Sequence, residues 1–215
     1  MKKLLVVLGV LALLLPLAAQ AQTYYVDYFS NNLTAGEDGV IRIVNVGQGG
    51  NPLTAPVGNI CANIYVFTPD QEMIECCAER LTPNELDSAD VFLQLTSNPL
   101  TGVVPNAGVI KIVLTPQTGA CNPTAAFSGP DATLGSVWST HPQRDLYVGT
   151  FRFPFLTETE HQPRPFSASE QTFLPQACSF VWYLGSGFGR CNSTESGDAG
   201  SGLPYNTSAS ANGKH

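Results

Sequence analysis

The stretch "ICANIYVFTPDQEMIECCAERL", residues 60–81, decides the fold. Two runs rich in β-branched, aromatic and small apolar residues flank "TPDQE", where Pro69 and Asp70 suit the first positions of a tight turn. The stretch therefore reads as an antiparallel hairpin. Side chains alternate across a strand, so Ile60, Ala62, Ile64 and Val66 share one face and Cys61, Asn63, Tyr65 and Phe67 the other. A three-residue loop at 69–71 sets Thr68 opposite Glu72, Ile64 opposite Cys76 and Ala62 opposite Ala78. That register gathers Cys61, Cys77 and Glu79 on the second face, and a one-residue slip would bring Cys76 there instead. Either way the adjacent cysteines point to opposite sides of the sheet.

Working outward, the chain offers more strands than helices. "TYYVDYF" (23–29), "VIRIVNV" (40–46), "DVFLQLT" (90–96), "GVIKIVLT" (108–115), "LGSVWST" (134–140) and the long "DLYVGTFRFPFLTET" (145–159) are separated by Gly-, Pro- and Asn-rich turns. Pro154 marks a bulge or an edge position in the last of these. The spacing favours an all-β, immunoglobulin-like antiparallel β-sandwich over alternating βα units. One helix is expected near the C-terminus, at about 168–184. Ser167 and Glu170 fit a capping box, with Phe173, Ala177, Phe180, Val181 and Leu184 following at helical spacing before Gly185 closes the helix. Pro175 should kink this helix or delay its start by a turn.

The N-terminus places the chain. Lys2 and Lys3 precede an apolar run, residues 4–18, that ends in the small-residue pattern Ala19-Gln20-Ala21, the signature of a secretory signal peptide. No later segment approaches the roughly 20 apolar residues of a membrane span. The expected organisation is a signal peptide at 1–21, a single sandwich domain with its C-terminal helix at 22–191, and a flexible Gly/Ser/Asn-rich tail at 192–215. Net charge is −7, or −9 once Lys2 and Lys3 are removed. An acidic chain without a basic patch is a poor partner for nucleic acid.

Export changes how the cysteines read. Cys61, Cys76, Cys77, Cys121, Cys178 and Cys191 are even in number and face an oxidising compartment, so they are expected to form disulfides. Six cysteines allow 15 pairings. The simplest proposal joins Cys178 to Cys191 across the Gly-rich turn and Cys61 to one of the vicinal pair, leaving the other for Cys121. No Cys-x-x-Cys occurs, and neighbours on a strand diverge too far to chelate one ion, so neither a zinc nor a thiol redox centre is expected.

Other chemistries find little support. "TETEH" (157–161) and His141 suggest a metal site only if the fold joins them, and the plainer reading is a solvated strand end. Glu75 and Glu79 read as exposed charges that blunt a sheet edge. "GSGFG" (185–189) lacks the spacing of a nucleophile elbow. Trp138 and Trp182 read as core, whereas the tyrosines of "TYYVDYF" suit an outer strand able to pair with another subunit.

The segments "RIVNVG", "CANIYVFTPDQEMIECCAERLTPNEL", "LTSNPLTG", "LPQACSF" and "GSGFGRC" resemble a family of secreted bacterial proteins of acidobacterial type, to which no activity is attached. In that family the paired cysteines continue as Cys-Cys-x-Cys and the last cysteine as Cys-x-Cys. The resemblance implies that Glu79 and Ser193 occupy the positions of a bridge lost here.

The expected function is that of an exported, non-catalytic sandwich with a surface, structural or binding role and no cofactor. Its partners would be a second copy or a surface glycan. The alternatives are a secreted hydrolase with a dispersed site, or a periplasmic metal or small-molecule binder built on His141 and His161.

Overall fold

The computed structural model describes residues 22–31, 39–47, 58–142, 146–153 and 156–192. The expected signal peptide, Pro154 and the tail beyond Asn192 lie outside these residues. Two antiparallel sheets form the domain. The first has the order β11 (Pro163–Pro165), β1 (Thr23–Ser30), β6 (Ala107–Pro116), β3 (Ile60–Phe67), β4 (Met73–Leu81). The second runs β10 (Leu156–Glu160), β7 (Gly135–Pro142), β2 (Val40–Asn45), β5 (Leu86–Asp90). A separate hairpin joins β8 (Leu146–Val148) to β9 (Phe151–Phe153). Among the described residues one α-helix, α1 (Ala168–Gly185), follows β11.

The main core lies between the sheets. Ile60, Ala62, Ile64 and Val66 of β3 meet Ile110, Ile112 and Leu114 of β6 on one side and Ile41, Ile43 and Val137 of the second sheet on the other. A smaller apolar cluster covers the outer face of the first sheet, where Leu174, Cys178 and Val181 of α1 pack on Tyr65, Phe67, Met73 and Val113. The result is three layers, sheet on sheet with a helix outside.

The hairpin of residues 60–81 forms over the expected strands, but a bulge decides its register. Thr68 N–H donates to Glu72 O at 2.9 Å, as the three-residue loop requires. Between Val66 and Phe67 the ladder then slips by one residue, leaving Ile74 as the extra residue on β4. Beyond the bulge Ile64 opposes Cys77 and Tyr65 opposes Cys76. Cys77 therefore enters the main core, while Cys76 faces the helix.

That split settles the disulfides, and it overturns the pairing expected from spacing. Cys76 bonds Cys178 of α1, Cys77 bonds Cys191, and Cys61 bonds Cys121 in the loop after β6. Cys178 and Cys191 do not meet each other because they lie on opposite sides of β4. The chain leaves α1 through Ser186 in a left-handed conformation and passes along the outer edge of β4. Cys76 N–H donates to Gly189 O at 3.1 Å, and Gly189 N–H donates to Asn98 O at 2.7 Å. Gly189 has a positive φ of 79°, and a Cβ there would come within 2.2 Å of Val181 Cγ1, so the turn requires glycine.

Residues 98–100 and 189–191 cover this edge beside Glu75, and both Glu75 and Glu79 are buried rather than exposed. Both point inward, each two residues from Cys77 on the same face.

Three other elements depart from expectation. Residues 91–95 form a single π-helical turn after β5 instead of a strand. Asp90 caps it by accepting the Leu93 N–H at 2.7 Å, while Gln94 Oε1 accepts the Asp90 N–H at 2.6 Å. These local bonds compete successfully with a ladder. The long run 145–159 breaks into β8, β9 and β10, with Gly149 at a positive φ in the first turn. α1 starts at Ala168 and runs through Pro175. Ser167 Oγ accepts the Glu170 N–H at 3.2 Å, but the Glu170 carboxylate pairs with Lys111, so only half of the capping box forms.

Candidate functional site

The histidines meet at the lateral corner where β1 approaches β7 and β10. Alternation places Asp27 of β1 on the inner face between Tyr25 and Phe29, and Ser139 and His141 of β7 on the inner face after Val137. His161 follows β10, tied by its N–H to Val137 O at 2.9 Å. Ser139 Oγ hydrogen-bonds His161 Nε2, and Asp27 Oδ2 lies 3.6 Å from the same nitrogen. His141 stacks on Tyr28 with ring centroids 4.3 Å apart. Neither ring nitrogen of His141, nor Nδ1 of His161, finds a hydrogen-bond partner among the described residues.

The solvated strand end expected at 157–161 is thus wrong for His161, although Glu158 and Glu160 are exposed and Glu158 pairs with Arg42 at 2.6 Å. The sequence reading also missed Asp27 and Ser139. Both carried a usable signal: a polar residue in the inward phase of an otherwise apolar strand face.

Serine, histidine and aspartate in contact invite comparison with a nucleophilic triad, but the connectivity differs. A triad sets the serine and the carboxylate on different ring nitrogens, so that one orients the ring while the other accepts the proton. Here both lie against Nε2. A carboxylate beside Nε2 favours the proton on that nitrogen, which makes His161 a donor to Ser139 rather than its base. Ser139 and His161 are also fully enclosed, at 1% exposure each. Among the described residues no three or more His, Cys, Asp or Glu side chains are grouped to hold a metal ion.

What the corner does is titrate. Burial lowers the His161 pKa to about 4, with Asp27 opposing the shift and His141 adding to it. Burial also lowers the pKa of His141, again opposed by Asp27. Both rings are neutral at pH 7. A depressed histidine pKa means that the unfolded chain takes up a proton at about 6.5 while the native state resists until about 4. Stability is then present above pH 6.5 and falls across that window. We expect His161→Gln to flatten the acid limb of a stability profile by roughly 2 kcal/mol between pH 6.5 and 4.5. Parallel urea-melt profiles for wild type and variant would show that the ring is hydrated.

A shallow pocket of about 80 Å³ lies beside the Cys61–Cys121 bridge, on the other face of the first sheet from the histidines. Its walls, including Asn63, Thr115, Asn122 and Phe127, carry no charged side chain.

The most unusual surface is the outer side of α1. The ridge that packs inward is Leu174, Cys178, Val181 and Gly185, which shares Val181 with the series expected from sequence and otherwise lies one position further along. One residue is about 100° of helical rotation. Cys76 fixes the choice by bonding Cys178, and Trp182 Nε1–H reinforces it by donating to Cys76 O at 3.2 Å. Trp182 is half-buried, with Arg190 stacked 4.1 Å over its ring. Phe173, Phe180, Leu184 and Phe188 are consequently left 48–60% exposed, and Tyr183 83% exposed. No charged residue occurs from 171 to 189.

The tyrosines of β1 are largely occupied. Tyr24 stacks on Phe166, Tyr25 donates to Ala132 O and Gly135 O, and β11 covers the strand edge at Thr23–Tyr25. No family model, curated protein or solved structure matches the chain. Among the described residues no helix is long and apolar enough to cross a membrane, and the three disulfides fit an oxidising, extracytoplasmic environment.

Proposed function

We propose that this chain is an exported, non-catalytic sandwich protein that works by association, as a structural or binding module outside the cytoplasm. The observation that carries the reading is the uncharged, aromatic outer face of α1, on a helix whose inner side is bonded to the sheet by Cys76–Cys178. Phe173, Phe180, Tyr183 and Leu184 stand exposed among Thr172, Gln176 and Ser179, and bulky apolar side chains grouped in this way mark an interaction surface. The signal peptide at 1–21 belongs to the same reading.

An immunoglobulin-like topology is part of the proposal. Two antiparallel sheets enclosing one core support it, while none of the three bridges joins the two sheets as the hallmark disulfide of antibody domains does. Kinship with the Cys-Cys-x-Cys family is supported by numbering alone. Cys77 and Cys191 are separated by 114 residues, and the same offset takes position 79 to position 193.

The disulfide-intact protein is expected to brighten a hydrophobic fluorophore, and the double variant Phe180→Ser/Tyr183→Ser to lose most of that enhancement. No enhancement with wild type would sink the reading. The alternative, a secreted hydrolase, draws on the Ser139–His161 contact. Ester, glycoside or peptide turnover that disappears in Ser139→Ala would establish it instead.

A further inference from the structure

We infer that the partner of the α1 face is a second copy of this chain, docked helix against helix in antiparallel orientation about a two-fold axis. The inference rests on the association reading above and names its partner.

Charge is the first argument. Two copies of a chain carrying −7 repel one another over most of their surfaces. Residues 171–189 carry no charge, so this face is where two like-charged molecules approach without opposing fields. Of the charges that flank it, Glu170 in the first turn of α1 is already paired with Lys111, which leaves the positive charge of Arg190, just past the last turn, at the other end. Antiparallel pairing brings the Glu170 end of one protomer to the Arg190 end of its partner. Parallel pairing would bring like ends together. The absence of basic residues on the face also argues against an anionic lipid surface, which amphipathic membrane helices meet with lysine and arginine.

Area is the second argument. An aromatic side chain buries about 150–250 Å² when fully covered. Four aromatic residues and one leucine, each exposed by about half or more (48–83%), therefore offer on the order of 500 Å² per copy. Pairing would cover about 1,000 Å² in total, the lower limit for a specific interface. That size fits a dimer that dissociates in the micromolar range.

Rigidity is the third. Cys76–Cys178 and the Trp182 hydrogen bond hold α1 in its present rotation, so the helix cannot turn Phe180 and Tyr183 inward to hide them. A second molecule must cover them.

Sedimentation equilibrium on the full, oxidised chain tests this over roughly 1–200 µM, a range that brackets the affinity expected for so small an interface. Wild type is expected to show a reversible monomer–dimer equilibrium that persists in 1 M salt. Phe180→Glu and Tyr183→Glu, made at exposed positions and checked by unaltered melting, should each weaken it at least about tenfold. A chain that stays monomeric throughout, or a dimer indifferent to both variants, overturns the inference. Wild type that remains monomeric, still brightens the fluorophore and floats with neutral phosphatidylcholine vesicles would assign the face to lipid. The association reading would then survive while the second copy is ruled out.

Discussion

Replacing Cys77 and Cys191 together with alanine is expected to cost about 4–5 kcal/mol, more than deleting any other bridge should on chain entropy alone. The bridge closes a loop of 114 residues. Loop entropy grows only logarithmically, so the 60-residue loop of Cys61–Cys121 should be worth within about 0.6 kcal/mol of it. The structure says that the two are unequal. Cys77 and Cys191 both belong to the main core, whereas Cys61 and Cys121 sit in a small satellite cluster with Ala78. Cys191 also anchors residues 189–191 along β4, where they take up the Cys76 N–H. Losing that anchor opens the sheet edge as well as the loop. Urea unfolding of the two double-alanine variants should differ by more than the entropic 0.6 kcal/mol. Amide exchange at Cys76 should rise only in Cys77→Ala/Cys191→Ala. Equal destabilisation would mean that the edge contacts add nothing beyond chain closure.

The sequence exposed this architecture unevenly, for physical reasons. Strands β1, β2, β3, β4, β6 and most of β7 were legible because each is a run of six or more residues rich in β-branched, aromatic and small apolar side chains, bounded by turn residues. Their sheet assignments were not, since alternation reports faces and says nothing about neighbours. The decisive error was a single bulged residue, Ile74, which no propensity reveals and which exchanged the faces of Cys76 and Cys77. The disulfide pattern then followed the bulge. The helix was legible in its length and in its Ser167 cap, but not in its rotation. Residues 173–184 carry two apolar stripes one position apart, and only the Cys76–Cys178 bond selects between them. The buried corner was half legible. His141 and His161 stood out as rare residues, whereas the inward phase of Asp27 and Ser139 on their strands is a signal that points to the corner only once β1 and β7 are known to face each other. Glu75 misled for a related reason, because the segments that cover the β4 edge beside it, residues 98–100 and 189–191, are distant in sequence.

Replacing Glu75 with glutamine should stabilise the protein at neutral pH by about 3 kcal/mol and remove its loss of stability toward alkaline pH. Glu75 has no exposed surface. Its Oε1 accepts the Asn98 N–H at 2.7 Å, and Oε2 finds no hydrogen-bond partner among the described residues. Burial raises its pKa to about 9 from 4.5, and the Asn98 hydrogen bond offsets only part of that shift. The native state therefore keeps a proton that the unfolded chain releases above pH 4.5. For a raised carboxyl pKa, the contribution to stability is full below 4.5 and declines as pH rises toward 9. Glutamine keeps the shape and the acceptor for Asn98 while removing the ionisation. Wild type and Glu75→Gln should match near pH 4.5 and separate steadily up to pH 8 in urea melts. The trend runs opposite to that of His161, whose proton uptake penalises the native state below pH 6.5. A double variant, Glu75→Gln with His161→Gln, should flatten both limbs, because the two groups sit at opposite lateral edges of the sandwich and act independently. A constant gap between wild type and Glu75→Gln at every pH would mean that Glu75 ionises normally, with water reaching it past residues 98–100.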